Sequence, residues 1–417
     1  MNLVSDIIVV GGGASGLVAA IAAARAGMKV TILEHKDRIG KKILATGNGK
    51  CNYTNLHQEP SCYRGENPTF AWNVINDFGV EDTITFFKEL GIYPKERNGY
   101  LYPNSEQASA VLDVLRLELE FLNVEIICNE HVKSIQSIID NKGKPGCKNM
   151  FRVKTGSNTY DTHKIILATG GMASGDLGSD GSGYLLTKQL GHTIVPVVPA
   201  LVQLKSKESY FKALAGIRVQ SMITLFIDGK QYSKNQGELQ LTNYGVSGIP
   251  IFEISRYASR ALEQRKKVRL IVDFLPGIES DELFRLIEER VSLNGYKNVE
   301  ELFIGLLNKK LIFVIIKEAK IDLNKLSIKL NKKEINELVN TIKNFKVSVY
   351  EANSFGNAQV SAGGVSTEEV DNHTMESKLV QGLYLVGELL DIDGTCGGYN
   401  LQWAWSSGYI AGINAAK

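Results

Sequence analysis

The sequence of 417 residues has little that would cross-link it or place it in a lipid bilayer. Its five cysteines are odd in number, and no two of them have Cys-x-x-Cys spacing, so we expect neither a metal site nor a disulfide framework. No run of 18 apolar residues is present, so we expect no transmembrane helix. The first ten residues lack the basic start of a signal peptide, which makes the cytoplasm the expected location. The cysteines are Cys51, Cys62, Cys128, Cys147 and Cys396.

A strong excess of one charge is also absent. The formal net charge is +2, which gives no general attraction to nucleic acid or to acidic membranes. We therefore expect a small-molecule substrate, no membrane partner and no nucleic-acid partner, while the oligomeric state stays open. Glycine, by contrast, is abundant at 40 residues, which is typical of a chain that turns tightly against a ligand.

The order of apolar segments predicts an α/β fold whose first domain is built from both ends of the chain. Residues 6–10 and 29–34 are typical of buried parallel strands, and residues 14–26 between them are helical. The apolar run 383–386 near the C-terminus resembles a further strand of that domain. We predict a first domain from residues 1–193 and 349–417, a β subdomain from 194–275 and 345–350, and a helical subdomain from 276–344.

A glycine motif stands between the first strand and the first helix. Gly11-x-Gly13-x-x-Gly16 allows a tight turn, a close approach to a pyrophosphate and close helix packing, and Ala14 and Ser15 open the helix at the phosphates. Glu34 ends the second strand about 20 residues later, where a carboxylate binds ribose hydroxyls. Together these features predict a dinucleotide site. A second such motif is not found, which favours FAD as the resident dinucleotide.

Two further strand ends agree with this interpretation. The segment "IILATGG" predicts that the backbone of Ala168, Thr169 and Gly170 lies close to an extended ligand. The segment "GLYLVGE" ends in the same way near Glu388. Several other motifs have ordinary structural explanations: Cys51 and Cys396 as small buried thiols, His192 as a packing or capping residue. The lysine-rich stretch 309–346 is typical of a solvated face, although it could also attract an anionic substrate or RNA.

The sequence resembles the BaiN-like (YhiN-like) bacterial NAD(P)/FAD-dependent oxidoreductase family, which includes aminoacetone oxidase-like flavoproteins. The resemblance rests on the glycine motif and on "DRIGKKILATGNGKCNYTN", "NGYLYP", "ILATGG", "LTNYGVSGIP", "AQVSAGGV" and "GELLDIDGTCGGYNLQWAWSSG", which span nearly the whole chain. It implies a glutathione-reductase-type FAD-binding Rossmann-like domain, discontinuous in sequence, with inserted mostly-β and helical subdomains.

The resemblance also implies positions for the cofactor. It places Lys42 and the loop Thr46–Asn52 along the pyrophosphate and the flavin, backbone near Val132 at the adenine, and Glu388 at the ribityl chain. The loop comprises Thr46, Gly47, Asn48, Gly49, Lys50, Cys51 and Asn52. The pyrimidine edge of the isoalloxazine is expected to meet Gly398, Tyr399, Asn400 and Leu401.

The expected function is that of an FAD-dependent oxidoreductase, with noncovalent FAD performing hydride transfer on a small organic substrate between the flavin and the inserted subdomains. NAD(P)H as a transient electron donor is left open. One alternative is a flavin amine oxidase that acts on an aminoacetone-like substrate and produces hydrogen peroxide. Another is a flavin-dependent RNA-binding or RNA-modifying protein. No catalytic acid or base is evident, and Asp391, Asp393 and Tyr399 are the candidates by position.

Overall fold

The structure is a computed structural model that describes residues 4–139 and 149–417; of Val4, Ile139 and Asn149 only the backbone is described. Cys147 lies outside the described residues. The described chain divides into two compact units. The first comprises the residues up to Val198 together with Ala358–Lys417, and the second comprises Pro199–Asn357.

The described residues form 20 strands and 13 α-helices. The strands are β1 (Val4–Val10), β2 (Val30–Leu33), β3 (Thr54–Asn55), β4 (Tyr63–Arg64), β5 (Pro94–Arg97), β6 (Tyr100–Pro103), β7 (Glu125–Ile127), β8 (Ser134–Ile139), β9 (Asn149–Lys154), β10 (Thr159–Leu167), β11 (Ile194–Ala200), β12 (Leu204–Ser206), β13 (Arg218–Ile227), β14 (Lys230–Leu241), β15 (Gly245–Ser247), β16 (Val268–Asp273), β17 (Phe345–Ala352), β18 (Val360–Val365), β19 (Leu383–Leu385) and β20 (Asp393–Gly394). The helices are α1 (Ala14–Arg25), α2 (Lys41–Ala45), α3 (Pro68–Asp77), α4 (Val80–Glu89), α5 (Ala108–Phe121), α6 (Ser182–Gln189), α7 (Phe211–Leu214), α8 (Ile249–Glu263), α9 (Ser280–Asn294), α10 (Val299–Leu302), α11 (Lys309–Glu318), α12 (Lys332–Lys343) and α13 (Tyr399–Ala415).

The first unit is organised by a seven-stranded sheet in the order β7-β2-β1-β10-β9-β8, with β19 also paired to β10. Strands β7, β2, β1, β10 and β19 run parallel. A parallel sheet needs cover on both faces, which explains the almost uninterrupted apolar residues of β1 and β2. Strand β19 comes from the end of the chain and runs parallel to β10, as β1 does. Its carboxyl end therefore lies at the same edge of the sheet as those of β1 and β10.

Helices α1 and α13 from opposite ends of the sequence pack closely in this unit. A Cβ placed on Gly408 would lie 2.3 Å from the carbonyl oxygen of Ser15. A Cβ on Gly412, one turn later, would lie 2.4 Å from the carbonyl oxygen of Ala19. The two glycines therefore let one helix backbone approach the other more closely than any side chain would allow.

Replacing Gly408 by alanine is expected to lower the free energy of unfolding by about 1–3 kcal/mol. The added methyl group collides with backbone, which cannot turn away as a flexible side chain could, and this outweighs the helix propensity gained. Chemical denaturation of the apoprotein measures the change. Gly156→Ala is the matched control, because a Cβ at Gly156 has no neighbour within 4 Å and should cost almost nothing.

The second unit contains a closed barrel in the order β12-β15-β14-β13-β16-β17. Its core combines inward residues of the barrel with apolar faces of α8 and α9–α12. Helix α12 begins with a capping box in which the side chain of Asn331 accepts from the N–H of Glu334.

The limits of the second unit differ from those predicted. It begins at Pro199 and not at residue 194, because β11 pairs with β18. The first unit resumes at Ala358 and not at residue 349, because β17 runs to Ala352 as a barrel strand paired with β12 and β16.

Candidate cofactor site

The glycine motif forms the turn between β1 and α1. Gly11 has φ +104°, and a Cβ there would lie 2.5 Å from the carbonyl oxygen of Ala168 at the end of β10. A Cβ at Gly16 would lie 2.0 Å from the carbonyl oxygen of Gly11. Gly13 is different: it is the N-cap of α1, it has no capping side chain, and a Cβ there would meet nothing within 4 Å. The turn is thus closed by its outer glycines and open at the middle one.

Glu34 follows β2 and holds this turn in place. It is buried, with one carboxylate oxygen accepting from the N–H of Gly12 at 2.8 Å and the other from the N–H of Lys36 at 2.8 Å. The loop that contains Val132 lies beside it, since the N–H of Glu130 donates to the carbonyl oxygen of Glu34 at 2.9 Å. Val132 itself is buried. The predicted ribose and adenine positions are therefore neighbours.

An ion pair joins two predicted cofactor residues that are 346 positions apart in sequence. The Nζ of Lys42 on α2 lies 2.7 Å from Oε2 of Glu388, which stands on the short 3₁₀ turn Gly387–Leu389 after β19. Lys42 also donates to the carbonyl oxygen of Ala173 at 3.1 Å. Oε1 of Glu388 accepts from the N–H of Ser361 at 2.7 Å, so the carboxylate is held on both sides.

The loop Thr46–Asn52 is shaped by left-handed residues. Gly47, Asn48, Gly49 and Cys51 all have φ between +54° and +83°. Cys51 is fully buried as a free thiol, and burial raises its pKa to about 12, so it is an unreactive thiol and not a redox centre. Cys396 is half-buried and forms no disulfide bond within the described residues.

The side chain of Lys50 in this loop forms an ion pair with a residue of another segment. Its Nζ lies 3.0 Å from a carboxylate oxygen of Glu106. That carboxylate is shared with Lys95 and Arg97 of the hairpin β5–β6. The pull of three cations on one carboxylate explains the orientation, and Glu106 was not visible as a partner in the sequence.

The C-terminal turn is packed against the chain more tightly than predicted. Gly398 has φ +94° and is the N-cap of α13, but a Cβ there would lie 2.8 Å from the backbone of Thr54. Its glycine is therefore required by the protein itself. Asn400 uses its side chain to bind the N–H and the carbonyl oxygen of Gly394, at 2.8 and 3.0 Å, and so fixes β20 to the start of α13. Leu401 is half-buried.

The three catalytic candidates are buried. Asp391 accepts from the N–H of Glu66 at 2.8 Å and thus holds a loop. Asp393 is fully buried in β20. The ring of Tyr399 meets Tyr63 edge-on, with centroids 6.1 Å apart, which is a packing contact.

Among the buried polar atoms that have no partner within the described residues, two belong to predicted cofactor residues. They are Oδ1 of Asn52, at the end of the loop Thr46–Asn52, and Oγ1 of Thr169. Thr169 follows Ala168, whose carbonyl oxygen lies against Gly11 of the glycine turn. A Cβ on Gly398 would lie 3.0 Å from that Asn52 oxygen. Buried polar groups are nearly always hydrogen-bonded, so these two atoms are available to a polar ligand. Together with the open uncapped start of α1, they fit a dinucleotide with a polar ring system.

Comparison with known proteins is consistent with this geometry. Residues 5–414 match the family model described as the HI0933-like protein Rossmann domain. The chain belongs to the HI0933-like Rossmann family. This confirms the resemblance and the fold class inferred from the sequence, and the chain is accordingly an FAD-dependent oxidoreductase with a Rossmann-type nucleotide-binding domain.

Two relatives with different names cover this HI0933-like chain from end to end. It is 44% identical over 411 residues to a 3-dehydro-bile acid delta(4,6)-reductase of Clostridium scindens, with 98% of each chain covered. It is 30% identical over 420 residues to a ribosomal RNA dihydrouridine synthase of Haemophilus influenzae, with all of each chain covered. A protein of the latter name from Escherichia coli is 30% identical over 409 residues, covering 97% of this chain and 96% of the relative.

Some functional contacts of this HI0933-like protein escaped sequence reasoning. Ser361 holds Glu388 through its N–H, and its hydroxyl accepts from the N–H groups of Met172 and Ala173 at 2.9 and 3.1 Å. Its presence in "AQVSAGGV" was the one available signal. His192 is buried and forms hydrogen bonds with Glu369 and Ser377, at 3.0 Å each.

The described residues contain neither a membrane-spanning helix nor a metal site. No helix there is both long and apolar enough to cross a membrane. No group of three or more His, Cys, Asp and Glu side chains there is arranged to hold a metal ion.

Proposed function

We propose that this protein reduces a carbon–carbon double bond conjugated to a carbonyl group in a small organic substrate, with NAD(P)H as the electron donor. The observation that carries the proposal is that the names of two relatives describe the same type of reaction. A delta(4,6)-reductase of a 3-dehydro bile acid and a dihydrouridine synthase both saturate a double bond conjugated to a carbonyl group. The greater identity, 44%, favours the small molecule over RNA.

The reaction balances without any further reagent. NAD(P)H gives up a hydride and becomes NAD(P)⁺, the substrate carbon β to the carbonyl gains that hydride, and the α carbon gains a proton from solvent. FAD, when bound, supplies the hydride relay between the two. The carbonyl group makes the β carbon electrophilic, which is why isolated double bonds should not react.

The chain's own residues serve this reaction by holding FAD. The open start of α1 at Gly13 receives the pyrophosphate, and Glu34 receives a ribose after fixing the glycine turn. The Lys42–Glu388 pair holds the ribityl region. The unpartnered Oδ1 of Asn52 accepts a hydrogen bond from the cofactor, and the unpartnered hydroxyl of Thr169 donates one to it or accepts one from it. The start of α13, without a capping side chain, favours negative charge nearby.

The test is anaerobic reduction of the purified yellow protein. NADH or NADPH should bleach the flavin absorbance, and a 3-oxo-4,6-diene steroid acid should then restore it, with a product heavier by two hydrogens in mass spectrometry. The matching saturated 3-oxo compound and an isolated alkene are controls and should leave the flavin reduced. Restoration by oxygen alone, with peroxide and with aminoacetone as the bleaching agent, would instead support an amine oxidase.

A second candidate is reduction of uridine in ribosomal RNA, favoured by the end-to-end match to the dihydrouridine synthase of Haemophilus influenzae. The same reduced protein can be offered a ribosomal RNA fragment, with dihydrouridine measured after digestion to nucleosides. Turnover of RNA without turnover of the dienone would replace the first proposal by the second.

A further inference from the structure

Three basic side chains converge on one carboxylate beside the loop Thr46–Asn52. We call Glu106 with Lys50, Lys95 and Arg97 the Glu106 cluster. One carboxylate oxygen of Glu106 lies 2.5 Å from Nζ of Lys95 and also contacts Arg97, and the other lies 3.0 Å from Nζ of Lys50. Lys50 and Arg97 are about half exposed, so the cluster is open to solvent.

The cluster carries more positive charge than its own carboxylate can balance. Hydrogen bonds from Lys95 and then Lys50 lower the pKa of Glu106 to about 2, so it is ionised at any physiological pH. Three cations and one carboxylate leave a net charge of +2. No second carboxylate pairs with Lys50, Lys95 or Arg97 in the part of the chain that the structure describes. The surplus matches an anion with two negative charges.

The hairpin adds two aromatic rings next to these charges. In the antiparallel register of β5 and β6, Lys95 faces Tyr102 and Arg97 faces Tyr100. Directly paired residues of an antiparallel ladder project from the same face. The basic groups and the tyrosine rings therefore share one face of the hairpin, and all of them belong to the first unit.

This face adjoins both glycine turns that the resemblance places at the flavin. A Cβ on Gly397 would lie 2.7 Å from the ring of Tyr100, and a Cβ on Gly47 would lie 3.8 Å from the ring of Tyr102. Lys50 itself follows Gly47 by three residues. The hairpin that carries the cluster therefore lies against both turns.

We propose that the Glu106 cluster binds the 2′-phosphate of NADPH and so makes NADPH, rather than NADH, the preferred donor. This rests on the proposed function for its need of a nicotinamide donor. A phosphate monoester carries about −1.5 to −2 charge at pH 7, close to the surplus of the cluster. Arg97 can bind it through two parallel hydrogen bonds, and the tyrosine rings suit an adenine face. In the absence of the phosphate, the carboxylate of Glu106 accepts from the basic side chains of the cluster.

The decisive measurement is calorimetric binding to the holoprotein, which does not depend on turnover. 2′,5′-ADP carries the 2′-phosphate and 5′-AMP lacks it. We expect 2′,5′-ADP to bind about tenfold more tightly or better, because a hydrogen bond to a charged group contributes roughly 1.5–3 kcal/mol. The difference should shrink below about pH 6, where the phosphate takes up its second proton while Glu106 remains ionised.

Variants of opposite sign test the cluster. Lys95→Gln and Arg97→Gln should each weaken 2′,5′-ADP about tenfold and leave 5′-AMP unchanged, whereas Glu106→Gln should strengthen 2′,5′-ADP because a competing acceptor charge is gone. Arg218→Gln is the control, since Arg218 is an exposed arginine paired with Glu238 far along the chain in the second unit. Equal affinity of the two nucleotides, or equal responses to all four variants, would overturn the proposal.

The outcome is separable from the fate of the proposed function. If NADPH and NADH bleach the flavin equally and none of the cluster variants changes their ratio, the phosphate site is wrong although the reductase stands. If 2′,5′-ADP shows the expected pattern but no enone is reduced, the site stands and the substrate is wrong. If a ribosomal RNA fragment follows the variant pattern and 2′,5′-ADP does not, the cluster serves nucleic acid and the proposal falls.

Discussion

Replacing Gly13 by valine is expected to remove FAD from the protein while leaving the apoprotein folded. A Cβ at Gly13 meets no atom of the chain within 4 Å, and the backbone there is extended, with φ −87° and ψ −171°, which valine adopts readily. The side chain would fill the space through which a pyrophosphate reaches the start of α1. We expect FAD affinity to fall by about 3 kcal/mol or more, roughly 150-fold.

The measurements are the flavin retained on gel filtration and the free energy of unfolding of the apoprotein. The latter should change by less than about 1 kcal/mol, since glycine is only a moderate N-cap. Gly16→Ala is the contrasting variant, because its Cβ would lie 2.0 Å from the carbonyl oxygen of Gly11 and should destabilise the apoprotein. A yellow Gly13→Val protein with unaltered affinity would show that the pyrophosphate does not lie at this turn.

Gly398 would be a less informative position than Gly13 for testing where FAD binds. The sequence alone makes Gly13 and Gly398 equivalent, as glycines at the start of helices near a ligand. In the structure a Cβ at Gly398 would meet the backbone of Thr54 at 2.8 Å. Loss of flavin from a Gly398 variant would therefore report a disturbed fold, whereas loss from a Gly13 variant reports the ligand.

The parts of the fold that the sequence predicts well depend on short-range patterns. The first strand, the glycine turn, α1 and Glu34 lie within 30 residues of one another, and each spacing has one physical explanation. Local steric and hydrogen-bonding rules decide these features, so no knowledge of distant residues was needed.

The parts that it predicts poorly depend on partners far away along the chain. Lys50 belongs to a loop assigned to the cofactor, but its ammonium group binds Glu106, 56 residues later. The end of the second unit was misplaced because β17 continues as a barrel strand up to Ala352. Neither segment indicates its distant partner, because the local sequence around a lysine or a strand does not depend on which residue it will contact.

Replacing Glu388 by alanine is expected to weaken FAD binding by about 2–3 kcal/mol, roughly 30- to 150-fold. The change strands Nζ of Lys42, which lies 2.7 Å from the carboxylate, and the N–H of Ser361, also at 2.7 Å. Side chains of Lys42 and Glu388 are 26% and 19% exposed, so solvent compensates only in part. Release of FAD on dilution, followed by flavin fluorescence, measures the effect.

Glu388→Gln is the matched variant, since its amide oxygen still accepts from Ser361 while the charge is lost, and its effect should be intermediate. Lys42→Met removes the other charge at similar volume, and the double variant should weaken FAD by less than the sum of the two single changes, by about 1–2 kcal/mol. The difference between the effect of the double variant and the sum of the single effects measures the interaction between Lys42 and Glu388, which are separated by 346 positions. If both single variants lower the free energy of unfolding but leave FAD affinity unchanged, the pair serves only to tie the end of β19 to α2. If FAD affinity falls and the coupling is zero, each residue binds the cofactor independently, and the ion pair exists only while the cofactor is away.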